Sequence, residues 1–256
     1  MKTILYFSPT GNARYLAANL AASLGADRTE LLALEFTEPE DLAKQEALII
    51  LYSVHAFNPP RTVRRFVKNI PAGLYEHVSI IGVGCTENWV NQAASTGLRK
   101  ILENKGYAIL LDEIIAMPLT FIMAFPDQAI QKTISAAGKR IEQLAIASNG
   151  QRPPGEKVLI RSKLAHFLGK AESPAARLFG LELHANKQCT SCGICVNNCP
   201  EKNIRFNAKD EPRFALKCLM CMRCIYNCPE QAIAPRFSKF IPIKDGYNLA
   251  SHLDQS

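Results

Sequence analysis

Thr3-Ile4-Leu5-Tyr6-Phe7-Ser8-Pro9-Thr10-Gly11-Asn12-Ala13 joins an uncharged, largely apolar run to a polar turn and the start of a helical segment. The apolar run suits a strand buried on both faces, as in a parallel sheet, rather than one with alternating faces. Residues 13–24 read as a helix. The turn between them offers hydroxyls at Ser8 and Thr10, a glycine that lets the backbone come close to a ligand, and a helix N-terminus with unpaired N–H groups. Together these suit an anion. They equally suit a capped strand–helix turn, which Ser, Thr and Asn favour.

The same alternation continues outward. Residues 30–34 and the fully apolar 47–52 read as strands, and 62–70 as a helix with Val63, Phe66, Val67 and Ile70 along one stripe. Strands over 78–83 and 107–115 flank a helix expected over 90–105, and a last helix covers about 127–147. Five such strands with crossover helices predict an α/β, doubly wound parallel sheet. The opposite face of the 62–70 helix carries Arg61, Arg64, Arg65 and Lys68. It reads as a solvated face or as a dock for an acidic redox partner. The run 117–125 is too apolar for an exposed loop and is expected to cover a cofactor edge or a domain interface.

The pattern breaks at Ser148-Asn149-Gly150-Gln151-Arg152-Pro153-Pro154-Gly155, a cluster of turn formers. Residues 1–150 are therefore expected to form the first domain. Residues 151–183 form a basic connector with Lys157, Arg161, Lys163 and Lys170 beside Leu164, Phe167 and Leu168, suited to the protein's own surface or to a membrane. A cysteine-rich domain follows over 184–236, with a tail over 237–256.

Eight of the nine cysteines fall into two copies of C-x-x-C-x-x-C-x-x-x-C-P: Cys189, Cys192, Cys195, Cys199 with Pro200, and Cys218, Cys221, Cys224, Cys228 with Pro229. At an offset of 29 residues, CTSCGICVNNCPEKNI aligns with CLMCMRCIYNCPEQAI, an internal duplication. Structural zinc favours paired C-x-x-C knuckles, and disulfides suit small secreted domains, so neither fits as well as iron–sulfur clusters. In this motif three thiolates wrap one cubane and the fourth serves the other. One [4Fe-4S] cluster is thus expected on Cys189, Cys192, Cys195 and Cys228, and the second on Cys218, Cys221, Cys224 and Cys199. Gly193 allows a tight turn around a cubane where the second copy has the bulkier Met222. This region resembles the bacterial two-cluster ferredoxins, at all eight cysteines and both prolines, and implies a small α+β domain.

The first turn lacks the lysine of a P-loop and the glycines of a dinucleotide site. It is similar to the flavodoxin phosphate loop, [ST]-x-T-G-N-[TAS], with Ala13 in place of the common Thr. That resemblance implies strand order 2-1-3-4-5, with FMN at the switch point between strands 1 and 3. Its phosphate would be held by Ser8, Thr10, Gly11, Asn12 and Ala13. The ring would lie between Ser53-Val54-His55-Ala56-Phe57-Asn58 and Gly84 to Trp89 (Cys85, Thr86 and Asn88 included). Phe57 and Trp89 are candidates for stacking on it. An acidic run typical of many flavodoxins is missing. Cys85 is either an incidental loop residue or a thiol near the ring. The whole chain resembles the flavodoxin–ferredoxin fusion proteins of anaerobic bacteria and archaea.

The formal charge of +7 over 256 residues would shrink toward neutrality with two clusters of about −2 each and a flavin phosphate of about −2. No basic block with interleaved aromatics argues for nucleic acid. No apolar run reaches the roughly 20 residues of a membrane span, and the N-terminus lacks a secretory pattern, so a cytoplasmic address is expected. These features imply an electron carrier exchanging single electrons with redox partner proteins, either ferredoxin-type donors or oxidoreductase acceptors. The alternative is an FMN-dependent reductase of a quinone, a flavin or an activated alkene, with His55 and residues 117–125 shaping its pocket.

Overall fold

A computed structural model describes residues 1–87, 89–147, 159–170, 172–244 and 246–253. Five parallel strands, β1 (Lys2–Phe7), β2 (Thr29–Ala33), β3 (Gln45–Ser53), β4 (Tyr75–Gly84) and β5 (Ala108–Ala116), stand in the order 2-1-3-4-5. This is the doubly wound, flavodoxin-like order, with its switch point between β1 and β3. Helices α1 (Asn12–Leu24) and α4 (Asp127–Ala147) cover one face; α2 (Arg61–Asn69) and α3 (Thr96–Asn104) cover the other.

Alternate strand residues divide between the two cores. Ile4, Ile49, Leu51, Ile81 and Val83 face α1 and α4, while Leu5, Phe7, Leu48, Ile50 and Ile80 face α2 and α3. Both strand faces are apolar because both are covered. The helix expected over 90–105 is shorter. Trp89–Asn91 form a single 3-10 turn, and α3 begins at Thr96. The backbone between them is held instead by α5 (Ile160–Gly169), whose buried Ser162 Oγ accepts the Ala93 N–H at 2.8 Å. The turn-rich boundary at 148–155 lies outside the described residues, as does Asn88.

The 151–183 connector holds α5 and α6 (Glu172–Glu182), and the duplication follows. Its first copy is β6 (Leu183–Ala185), α7 (Ile194–Asn197) and β7 (Ile204–Phe206). Its second is β8 (Pro212–Phe214), α8 (Arg223–Tyr226) and β9 (Ile233–Pro235), each element 29 residues on. The copies exchange strands: β6 pairs with β9 and β7 with β8, both antiparallel. The backbone repeats as well. Ser191, Gly193 and Lys202 take positive φ, and so do Met220, Met222 and Gln231. Gly193 meets that requirement freely; Met222 adopts it at the cost a side chain carries there.

Candidate cofactor sites

Two cavities in the duplicated region each collect three cysteines of one run and the fourth of the other. Cys189, Cys192, Cys195 and Cys228 line one, with Gly193 and Phe206. Cys218, Cys221, Cys224 and Cys199 line the second, with Leu219, Met222 and Arg223. The strand exchange explains the crossing, because each fourth cysteine lies just ahead of β7 or β9. Each also receives a main-chain N–H on its sulfur, Asn203 N–H to Cys199 Sγ at 3.3 Å and Ala232 N–H to Cys228 Sγ at 3.2 Å. Among the described residues no group of three or more His, Cys, Asp or Glu forms a site for a single metal ion. The four-sulfur walls with N–H groups aimed at them fit a cluster.

The second cavity is the drier one. Burial, reinforced by neighbouring thiolates, pushes Cys218 up to about 12 and holds Cys224 well above the usual thiol range. Burial pushes Cys221 up to about 11, against the lowering effect of the adjacent Arg223 backbone and guanidinium. Without iron these groups are thiols, so metal must displace their protons for them to bind.

That cavity lies against the N-terminal domain. Leu219, 7% exposed, packs into the α2/α3-side core with Phe7 and Val63. Its burial stabilises the contact by about 1.5–3 kcal/mol. Arg223, also 7% exposed, reaches the first loop: Nη2 donates to Ser8 O at 2.8 Å and Nε to Pro9 O at 3.3 Å. It further donates to Asn198 O at 3.2 Å and pairs with Glu35. The basic face of α2 takes part as well. Arg61 and Arg65 approach Glu201 at 3.4 and 3.3 Å, and Arg61 donates to Lys217 O. Part of that face therefore docks this chain's own cysteine-rich domain, a use the sequence reading did not anticipate.

At the first loop, Gly11 holds φ of 100°, open to glycine and strained for other residues. Ser8 Oγ is buried without a partner among the described residues. The N–H groups of Thr10, Gly11, Asn12 and Ala13 have no acceptor among the described residues, and those at a helix start point outward. An orphaned hydroxyl beside free N–H groups fits a phosphate. The tail seals the flank. Tyr247 Oη donates to Asn12 Oδ1 at 2.6 Å, Asn12 Nδ2 donates to Pro118 O at 2.9 Å, and Leu249 lies over Gly11. Asn12 is thus occupied by protein contacts, which leaves its backbone N–H for a ligand.

The other two loops are bridged by α5. Ala56 and Phe57 both take positive φ in a tight turn closed by His55 N–H to Asn58 O, 2.9 Å, and its reciprocal. Asn58 Nδ2 donates to His166 O at 2.9 Å, and Gly169 approaches Ala56 O too closely for a Cβ. On the β4 side Arg161 stacks on the Trp89 ring, 4.9 Å from its centroid, with Trp89 37% exposed. Ser53 and Val54 continue β3 into this turn, while Gly84 abuts Asn91, which donates to Thr86 O at 2.8 Å. Cys85 is exposed and lines neither cysteine cavity. The half-buried His55 ring lies 6.4 Å from Phe7, and burial brings it down to about 4 against the raising effect of the nearby Leu219 backbone. It is neutral at neutral pH.

Residues 117–125 reach the domain junction. Tyr226 Oη donates to Thr120 O at 2.7 Å, Ile122 N–H donates to Ile241 O at 2.6 Å, and Phe121 packs beside Met222. The expected cover for an interface is present at its base, whereas Ile122, Met123 and Phe125 at its tip are exposed. Sequence reasoning missed Arg223, Glu35 and Glu201. One signal was available, since the first copy carries Ile194 where the second carries Arg223.

Residues 182–229 match the family model of the 4Fe-4S dicluster domain, which indicates two [4Fe-4S] clusters. Solved structures similar to this chain include a flavodoxin from the Archaea, 15% identical over 57% of this chain and 99% of its own, with a TM-score of 0.37. A Streptococcus pneumoniae TIGR4 flavodoxin is 16% identical over 57% and 98%, at 0.40. The two-electron reduced Megasphaera elsdenii flavodoxin is 18% identical over 56% and 99%, at 0.38. Among curated proteins none matches the chain. For the N-terminal half the strand order itself carries the assignment. The chain joins a flavodoxin-like doubly wound domain to a 4Fe-4S dicluster domain, the architecture of a flavodoxin–ferredoxin fusion.

Proposed function

We propose that this protein is an electron carrier that moves single electrons between two [4Fe-4S] clusters, a bound FMN and redox partner proteins. The observation that carries this reading is Arg223. One side chain sits in the wall of the Cys199/Cys218/Cys221/Cys224 cavity and donates to both Ser8 O and Pro9 O of the anion loop. Two cofactor sites sharing one buried guanidinium are suited to exchange electrons with each other.

FMN, when bound, would interconvert one-electron and two-electron chemistry. Ser8 Oγ and the N–H groups of Thr10, Gly11, Asn12 and Ala13 would hold its phosphate. Ser53, Val54, His55, Ala56, Phe57, Asn58, Gly84, Cys85, Thr86, Asn88 and Trp89 belong to the loops proposed to border its ring. Helix α5 ties the β3 and β4 loops together. His55 supplies a neutral, half-buried ring rather than a mobile proton. That is why the carrier is preferred over the small-molecule reductase, for which His55 and residues 117–125 would have to open onto a substrate pocket. Among the described residues no helix is long and apolar enough to cross a membrane.

Stopped-flow reoxidation of the reduced holo-protein separates the two readings. The carrier should reoxidise fast with ferredoxin-type proteins and slowly with quinones, free flavins and activated alkenes. The reverse order would establish the reductase.

A further inference from the structure

We propose that the cleft formed by β6, β8 and the turn ahead of Cys192 is the docking site of an acidic, carboxylate-bearing electron-transfer protein, which there meets the cluster site remote from the flavodoxin-like domain. This rests on the electron-carrier reading and adds where the partner binds and what charge it bears. The cleft has a volume of about 630 Å³, and Cys189 forms part of its wall. It therefore reaches the Cys189/Cys192/Cys195/Cys228 site, whose Cys192 is exposed, through one of that site's own cysteines, whereas it meets the cavity of Leu219 and Arg223 only at Leu183 and Phe214 and at none of its cysteines.

Lys187, Lys209, Arg213 and Arg236 line the cleft against one acid, Glu211, and all five are exposed. The positive charge is assembled against a local cost. Arg205 and Arg213 stand directly opposite each other in the β7–β8 pair, where like charges repel. Glu211, 2.7 Å from Arg213, offsets only part of that. Cations that served only to balance a cluster would face the cysteine cavity, yet none among the described residues lines it. They face outward, where charge attracts and orients an acidic partner. In the docked pair the reduced partner loses one electron and this chain gains one; no bond, proton or group moves.

The test is calorimetric binding of oxidised holo-protein to an oxidised ferredoxin of strongly acidic surface, so that no electron transfer contributes. Wild type should bind, and binding should weaken as salt rises from about 0.05 to 0.3 M. The Lys187→Glu/Lys209→Glu/Arg213→Glu variant should lose about tenfold or more in affinity. Lys132→Glu, on the exposed face of α4, should bind as wild type does. Reduction by the methyl viologen radical cation, which repulsion disfavours in wild type, should be no slower in the triple variant. Unchanged affinity in that variant, an equal loss in Lys132→Glu, or equal slowing with methyl viologen would overturn the site. If the triple variant lacks cluster absorbance, Lys187→Gln/Lys209→Gln, which keeps the Arg213–Glu211 pair, decides: about threefold weaker binding supports the cleft and none refutes it. Failure of wild type to exchange electrons with any protein, while small quinones succeed, would instead refute the carrier reading.

Discussion

Replacing Cys199 with Ala should abolish the cluster of the opposite run, so that Cys199→Ala resembles Cys218→Ala and not Cys189→Ala. Iron should fall from about eight to about four per chain in each single variant. The informative comparison is which variants coincide in the electron paramagnetic resonance of the remaining reduced cluster. Cys228→Ala should coincide with Cys189→Ala. The reason is the strand exchange: β7 pairs with β8 and β6 with β9, and each fourth cysteine faces the other copy's cavity. The two losses should also differ in consequence. The Cys199 cavity is walled by Leu219, Met222 and Arg223, the first and last of which dock the domains. Emptying it should speed hydrogen exchange in residues 1–36, whereas Cys228→Ala should leave that region protected. Coincidence of Cys199→Ala with Cys189→Ala would refute the crossed assignment.

Arg223→Met should destabilise the domain junction by about 3–5 kcal/mol, the usual cost of stranding one member of a buried ion pair. Its guanidinium is the donor to Ser8 O, Pro9 O and Asn198 O, and its partner Glu35 has a side chain only 6% exposed. Removing it leaves a buried carboxylate without its counter-ion and three carbonyls short of a donor. Arg223→Lys should recover only part of the loss, since an ammonium cannot serve four acceptors spread over a planar fork. Adding Glu35→Gln to Arg223→Met should restore a further part, and the double-mutant cycle measures the pair itself. The readout is the denaturation midpoint of the holo-protein together with flavin retention, because Ser8 and Pro9 belong to the proposed phosphate loop. A midpoint unchanged in Arg223→Met would show that Leu219 and the α2–Glu201 pairs hold the junction alone.

The alternation of apolar strands with helices made the doubly wound sheet legible, because both of its faces are buried and every strand shows it. Strand order followed from likeness at one loop, and the structure has that order. The duplication was legible over 189–204 and 218–233, whereas the recurrence of β6, α7 and β7 as β8, α8 and β9 emerged only in the structure. What the two copies do differently was also written in the chain, but needed the fold to be read. Thr190, Ser191, Gly193 and Ile194 became Leu219, Met220, Met222 and Arg223 in the copy whose cavity is pressed onto the first domain. Solvent suits the first set; a buried interface with two free carbonyls requires the second. The roles of α5 and the tail were not legible. Ser162, Gly169 and Tyr247 act on residues 69 to 235 positions away, and no local pattern announces such partners.

The most direct test is an anaerobic reductive titration of the protein purified with its cofactors, followed by absorbance. Uptake of about four electrons per chain is expected, one at each cluster and two at the flavin. Uptake of about two, with iron bleaching and no flavin band, would contradict a carrier in which the first loop holds FMN.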